Sequence, residues 1–256
     1  MGRDKRLYPI DGEQFNRLVV PVMEASYIGK GRPPEVSHYT AFCGILYILR
    51  TGVPWRNLPS GYGELHTIYD RFNLGNARGL WNKVLVTLQQ EGGLEFDGVI
   101  IDSTTMKARR HGGGQKGGLQ SKGVSRAGIS AKVHLAVTGD GRLVCGFLSG
   151  GNCNGVNAAP ELVAEVHGCF VLGDRGYDSD GFRRELESNN NIPVIPGRKN
   201  RKEPVEYDRE RYKRRGFIER IFGKLKENRR LAVRYEKSDA NFLGFVLFAF
   251  LKMLLC

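Results

Sequence analysis

The chain has 256 residues, 41% of them hydrophobic, enough to build one large domain or a catalytic domain with a small accessory one. Its 39 Lys and Arg against 27 Asp and Glu leave a net charge of +12, which favours a polyanionic partner, nucleic acid before a membrane surface. Membrane insertion is not expected, because MGRDKRLYPIDGEQ has no apolar signal core and the apolar run 242–251 stops at Lys252, short of the ~20 residues a bilayer needs.

The first third of the chain has helical character. Apolar spacings of three and four predict helices over 13–28, 36–50, 64–73 and 76–90. Between the second and third, RTGVPWRNLP breaks the pattern, with Gly52 a helix stop and Pro54 a barrier to continuation. Short basic helices carrying Arg32, Arg50, Arg56 and Arg71 suit a DNA-reading module, and a helical cap with a purely structural role suits them equally. Trp55 fits an anchoring aromatic of that segment better than a platform for a displaced base.

Strand character begins near residue 95. Strands are predicted over 96–101, 128–138 and 143–149, the last two joined by a TGDGR turn. A helix over 158–167 leads into a strand over 169–173, then a helix over 181–188 and a short strand over 192–195. The final apolar run reads as a buried terminal helix. Residues 108–128 form a glycine-rich basic connection without the spacing of a nucleotide-binding loop. Residues 197–215 form a second basic segment, either steering a polyanion or serving as a solvated linker. Five scattered cysteines without a CxxC pair are expected as free thiols in a cytoplasmic protein, and the five scattered histidines make structural zinc unexpected.

Three carboxylates carry the chemistry. Asp102 follows the apolar run GVII, Asp174 follows CFVLG, and Glu219 lies in a basic helical stretch. Each aspartate is expected where a strand leaves the core, and hard divalent cations prefer such oxygen ligands. Tyr212, Arg215, Glu219 and Lys226 are spaced by 3, 4 and 7 residues. On one regular helix they would project at roughly 0, −60, −20 and −40 degrees, a single face opposite Phe217, Ile218, Ile221 and Leu225. A carboxylate beside a phenol and two cations suits a phosphodiester, whereas a solvated charged stripe is the commoner meaning of such a face. Asp178 and Asp180 read as loop or capping residues, and His134 as a strand residue.

In order along the chain, IDST at 101–104, GDRGYDSD at 173–180 and the Tyr-x2-Arg-x3-Glu-x6-Lys pattern of Tyr212, Arg215, Glu219 and Lys226 resemble the bacterial insertion-sequence transposases of the DDE type, specifically the insertion sequence 5 family within the insertion sequence 4 group. GRPP at 31–34, ILYILRTGVPWRNLP at 45–59 and FGKLKENRRLAVRYEK at 222–237 extend the resemblance through nearly the whole chain. It implies an RNase H-like mixed sheet flanked by helices over 93–256, preceded by a helical segment over 1–92 that contacts DNA. In that fold the first and fourth strands adjoin, so Asp102 and Asp174 would be neighbours.

The resemblance also implies function. Asp102, Asp174 and Glu219 would be catalytic and metal-binding, with two magnesium ions about 4 Å apart and manganese as a substitute. Tyr212, Arg215 and Lys226 would hold phosphates of double-stranded DNA, both terminal inverted repeats and target, and the residues themselves offer Arg175 and Arg56 as further DNA contacts. The protein would work as a homodimer on DNA, near the nucleoid. A nuclease that cuts without joining would use the same carboxylates, and a non-catalytic DNA-binding remnant would be expected to have lost them.

Overall fold

The computed structural model describes residues 11–26, 35–90, 97–109, 121–125 and 128–255. GRPP with Arg32, residues 110–120 and 126–127 of the glycine-rich connection, and Cys256 lie outside the described residues. The chain forms two compact units, one of Met1–Leu94 with Leu225–Cys256 and one of Glu95–Lys224.

The helical unit opens with α1 (Gly12–Leu18) and α2 (Val20–Ser26), two helices where the spacing predicted one. Pro21 accounts for the division, since its missing N–H is tolerated only in a helix's first turn. Helix α3 (His38–Thr51) starts on Ser37, whose hydroxyl accepts from the Thr40 amide at 3.0 Å, and ends on Gly52 at φ 70. That left-handed residue donates its N–H to the Ile48 carbonyl, and only glycine adopts the conformation without strain. Helices α4 (Leu65–Ala77) and α5 (Leu80–Gln90) follow, the Trp81 indole sitting where a side chain on Gly75 would be.

The second unit is a mixed sheet. Strand β1 (Gly98–Ala108) pairs antiparallel with β3 (Gly128–Thr138), and β3 with β4 (Leu143–Gly150), through the predicted hairpin. Strand β2 (Gly123–Ser125), three residues with no apolar alternation, pairs with the start of β3. Helix α6 (Gly155–Leu162) crosses to β5 (Phe170–Leu172), which joins β1 in parallel on the other side, and α7 (Asp180–Ser188) leads to β6 (Ile192–Val194), parallel to β5. The path β4-β3-β1-β5-β6, antiparallel at one end and parallel at the other, is the RNase H-like arrangement. Val99, Ile101, Ala136 and Val171 bury one sheet face against Leu162, Val166, Phe182 and Leu186 of the crossing segments. Each fully buried side chain of this size contributes about 1.5–3 kcal/mol of hydrophobic stabilisation.

After β6 the chain passes through α8 (Arg209–Tyr212), a 3-10 turn at Lys213–Arg215 and α9 (Gly216–Lys226). The helical unit then closes with α10 (Arg229–Ala232) and α11 (Asp239–Leu254). Phe245 of α11 lies 4.5 Å from Phe72, and Phe248 lies 4.6 Å from Trp81 and 5.2 Å from Phe42, ring centre to ring centre. The apolar terminal run is thus the core of this unit, and among the described residues no helix is long and apolar enough to cross a membrane. Trp55 packs on Tyr69, Phe72 and Phe245, an anchor of the helical core.

Candidate active site

Strand pairing places the two aspartates. Ile100 of β1 stands beside Leu172 of β5 in parallel register, and Asp102 and Asp174 each lie two residues farther on. Residues 72 apart in sequence therefore emerge at one level of the sheet. Asp102 does not end its strand as predicted. Strand β1 continues to Ala108 because Ser103–Lys107 keep pairing with β3, Ser103 opposite His134 and Lys107 opposite Ser130. The opening is on the other side, where β5 stops at Leu172 and leaves Asp102 facing the carboxyl end of its neighbour, the usual place for ligands in such sheets.

The carboxylates differ in setting. The Asp102 side chain is only 13% exposed, and its Oδ1 accepts from the Ser103 amide at 2.7 Å. Burial lifts its carboxyl above the ordinary aspartate value, against the opposing pull of that amide and of Arg215. Asp174 caps the 3-10 turn Arg175–Tyr177, its Oδ1 accepting from the Gly176 amide at 2.8 Å. Glu219, in the first turn of α9, is the most exposed of the three at 62%.

Arg215 joins them. Its guanidinium lies 2.7 Å from Asp102 Oδ2 and 3.9 Å from Asp174 Oδ2 through one nitrogen, and 2.6 Å from Glu219 Oε1 through the other. Although burial opposes its charge, the three carboxylates raise Arg215 further above its already high value. In kind, three oxygen donors of this sort suit a hard divalent cation. Among the described residues no set of three His, Cys, Asp or Glu side chains is gathered closely enough to hold an ion, and the guanidinium lies among the three carboxylates instead.

The helical face predicted from spacing is broken. Tyr212 ends α8, Arg215 closes the 3-10 turn and only Glu219 and Lys226 share α9. A 3-10 turn eclipses positions three apart. Arg211 of α8 and Arg214 of the turn, three positions apart, both reach one carboxylate, at 2.9 and 3.1 Å from Asp97 Oδ2. Ile218, Ile221 and Leu225 are buried as expected, Phe222 is buried with them, and Phe217 is only half-buried.

Tyr212 is half-buried, with its ring 5.4 Å from that of Tyr207. Burial, then neighbours including Arg215 and Asp174, shift its phenol, with a net rise. Arg175 is exposed on the turn after Asp174. Asp102, Asp174, Glu219, Tyr212, Arg215 and Arg175 all belong to the sheet unit, whereas Lys226 and Arg56, both exposed, belong to the helical unit. Arg56 sits on a 3-10 turn, Trp55–Asn57.

Sequence reasoning missed several neighbours. Tyr177 is 2% exposed, and burial with the nearby Asp102 pushes its phenol up. The aromatic inside Gly-Asp-Arg-Gly-Tyr was the available signal. Asp97 has no such signal, since its role depends on Arg211 and Arg214 more than a hundred positions away. Near it, Lys213, Arg214, Arg220 and Phe217 line a cavity of about 720 Å³ with Asp97 and the Gly139–Asp140 turn. The basic segment 197–215 is not a solvated linker throughout, because Arg198, Arg201, Arg211 and Arg214 all bond to the sheet unit. His134 lies on the packed side of β3, stacked on Phe147 and bonded to Ser149 at 2.7 Å.

Comparison with known proteins agrees with this geometry. Residues 94–254 match the model of the transposase DDE domain, and residues 12–85 match a model for transposases of the IS4/5 family. A Burkholderia cepacia protein named as the transposase for insertion sequence element IS402 is 31% identical over 143 residues, 51% of this chain and 63% of that protein. A Brucella ovis protein named as the transposase for element IS6501 is 38% identical over 93 residues, 34% of this chain and 69% of that protein. The piggyBac transposase, solved as a synaptic complex with hairpin DNA, has a similar fold at TM-score 0.52 and 11% identity, over 98% of this chain and 72% of that one. Proteins with the DDE domain generally work with divalent metal ions. With a domain match that spans most of the chain and two aspartates that the sheet sets side by side, this chain belongs to the DDE transposases of the IS4/5 group, enzymes of DNA transposition.

Proposed function

We propose that Asp102, Asp174 and Glu219 are the catalytic carboxylates of this transposase, cutting DNA at the ends of its insertion sequence and joining the freed ends to a target. The observation that carries this is the reach of one guanidinium to all three carboxylates, Arg215 at 2.6 to 3.9 Å. A cation already balances them there, and the three side chains are the ones that would hold divalent ions, magnesium with manganese as a substitute. Such ions, when bound, stabilise charge at phosphorus and activate water or a 3′-hydroxyl as nucleophile.

The chain's own residues do the remaining work. Arg215 has a planar fork suited to phosphate oxygens, and Tyr212 beside it offers a hydroxyl. Arg175, exposed on the Asp174 turn, is placed to meet the DNA backbone. Arg56 and Lys226 would contact DNA from the helical unit, Arg56 from residues 1–92 in their DNA-contacting role and Lys226 from the 93–256 segment that carries the catalytic residues. The partners are double-stranded terminal inverted repeats and target DNA, bound by a homodimer that assembles on DNA in the bacterial cytoplasm. The net charge of +12 supports that partner.

The test is cleavage and strand transfer on labelled duplexes carrying the terminal repeats of the element that encodes the chain, with magnesium, manganese or EDTA. Metal-dependent cuts at the repeat boundary followed by joined products, both lost in Asp102→Asn, are expected. Cuts without joining would instead identify a nuclease, and binding without cuts a DNA-binding remnant.

A further inference from the structure

The turn that carries Asp174 is held by a second charge cluster that the carboxylate reading does not use. Asp178, its side chain 1% exposed, accepts at Oδ1 from Arg183 Nε at 3.0 Å, from Arg183 Nη2 at 2.9 Å and from Arg201 Nη1 at 3.0 Å. Its Oδ2 accepts from the backbone amide of Arg198 at 2.8 Å. Arg183 also donates to the Ile195 carbonyl at 2.6 Å, and Arg201 pairs with Asp180. Asp178 thereby fastens the start of the 197–215 segment to the turn after Asp174, which its reading as a loop or capping residue did not foresee.

Arg198 then turns its side chain back onto that turn. Its Nε donates to the Arg175 carbonyl at 3.3 Å and its Nη2 to the Gly176 carbonyl at 3.1 Å. The Arg175 carbonyl and the Gly176 amide belong to one planar peptide, and that amide donates to Asp174 Oδ1 at 2.8 Å. The same peptide is therefore gripped at its oxygen by a guanidinium and at its N–H by the Asp174 carboxylate. Positive charge on the carbonyl polarises the peptide and strengthens the bond its N–H makes. The Arg198 end of the relay is fixed, since its backbone amide is bonded to buried Asp178.

We propose that Arg198, oriented by Asp178, is a positioning residue that fixes the direction of the Asp174 carboxylate. This rests on the reading of Asp174 as a metal-binding carboxylate. Loss of groups that orient a metal ligand typically weakens metal affinity by 10- to 100-fold, so the effect is measurable without turnover.

The experiment is calorimetric titration of the full chain with Mn2+ alone, comparing wild type, Arg198→Met, Arg198→Lys and Asp174→Asn. It is paired with the Mg2+ concentration that gives half-maximal cleavage. Arg198→Met keeps the aliphatic stem and lies at an exposed contact, whereas Asp178→Asn would strand two guanidiniums and risk the fold. Arg198→Met is expected to weaken Mn2+ binding about tenfold and to raise the Mg2+ requirement by a similar factor, with the rate at saturating metal reduced less than about threefold. Arg198→Lys should recover part of the affinity, and Asp174→Asn should lose far more. Wild-type Mn2+ affinity in Arg198→Met, with Asp174→Asn defective, overturns the positioning role and leaves the site assignment standing. Slower cleavage with an unchanged metal requirement, or weaker DNA binding alone, also overturns it, because Arg198 would then act on DNA. Wild-type affinity in Asp174→Asn removes the metal-site reading itself.

Discussion

Arg215 lies 2.7 Å from Asp102 across 113 positions of sequence, a pair with side chains only 19% and 13% exposed. An ion pair this sheltered is costly to break on one side, because the partner keeps its charge with less water to receive it. Arg215→Gln should therefore cost about 2 kcal/mol in EDTA, read by urea denaturation. Magnesium should restore more of that loss in the variant than it adds to wild type, since an ion would replace the missing cation. Equal stability of the two proteins in EDTA would show that the pair contributes nothing.

Exposure separates the effect of one substitution on catalysis from its effect on stability. Glu219 is 62% exposed, so Glu219→Gln should change stability by less than about 0.5 kcal/mol and leave DNA binding intact while removing cleavage. Electrophoretic mobility shift and cleavage on the same duplex check both halves. Cleavage at the wild-type level would end the assignment of Glu219.

His134 predicts a pH dependence of folding unrelated to catalysis. Burial, aided by Lys132, holds its imidazole down at about 4, against an ordinary value of 6.5. Above pH 6.5 neither folded nor unfolded chain is protonated there, and stability is complete. As pH falls from 6.5 towards 4 the unfolded chain takes up a proton that the folded one does not, so stability declines, by about 2 kcal/mol after allowance for solvent screening. His134→Gln should flatten that part of the profile in urea titrations at pH 7.5 and 5, and an unchanged slope would refute the attribution.

Gly52 gives a prediction confined to the helical unit. At φ 70 a side chain is strained, and a Cβ there would come within 2.8 Å of the Arg229 Cβ. Gly52→Ala should destabilise the protein by about 1–2 kcal/mol, with Gly52→Asn milder because asparagine tolerates the left-handed region. Thermal melts of the two variants decide it, and an alanine variant as stable as wild type would contradict the cap.

Much of the fold is legible in local pattern. The Gly52 stop, the TGDGR hairpin and the apolar run of α11 each announce themselves within a few residues, because helix stops, turns and buried helices depend on neighbours close in sequence. Lower legibility has physical causes too. Strand β2 is short and takes its form from β3, and the 3-10 turn at Lys213–Arg215 is invisible to helical periodicity.

The chemistry is written in residue type and short spacing: two aspartates after apolar runs, a glutamate four residues after an arginine, and an excess of positive charge. Their spatial relations come from the fold. Parallel pairing of β1 with β5 set Asp102 level with Asp174, and the fold brought Arg215 among the carboxylates. It also buried Asp178 and laid the exposed Arg198 back onto the Asp174 turn, both from segments that look solvated. Such relations follow from strand register and from the need of buried charges for partners, and neither is encoded in any window of neighbouring residues.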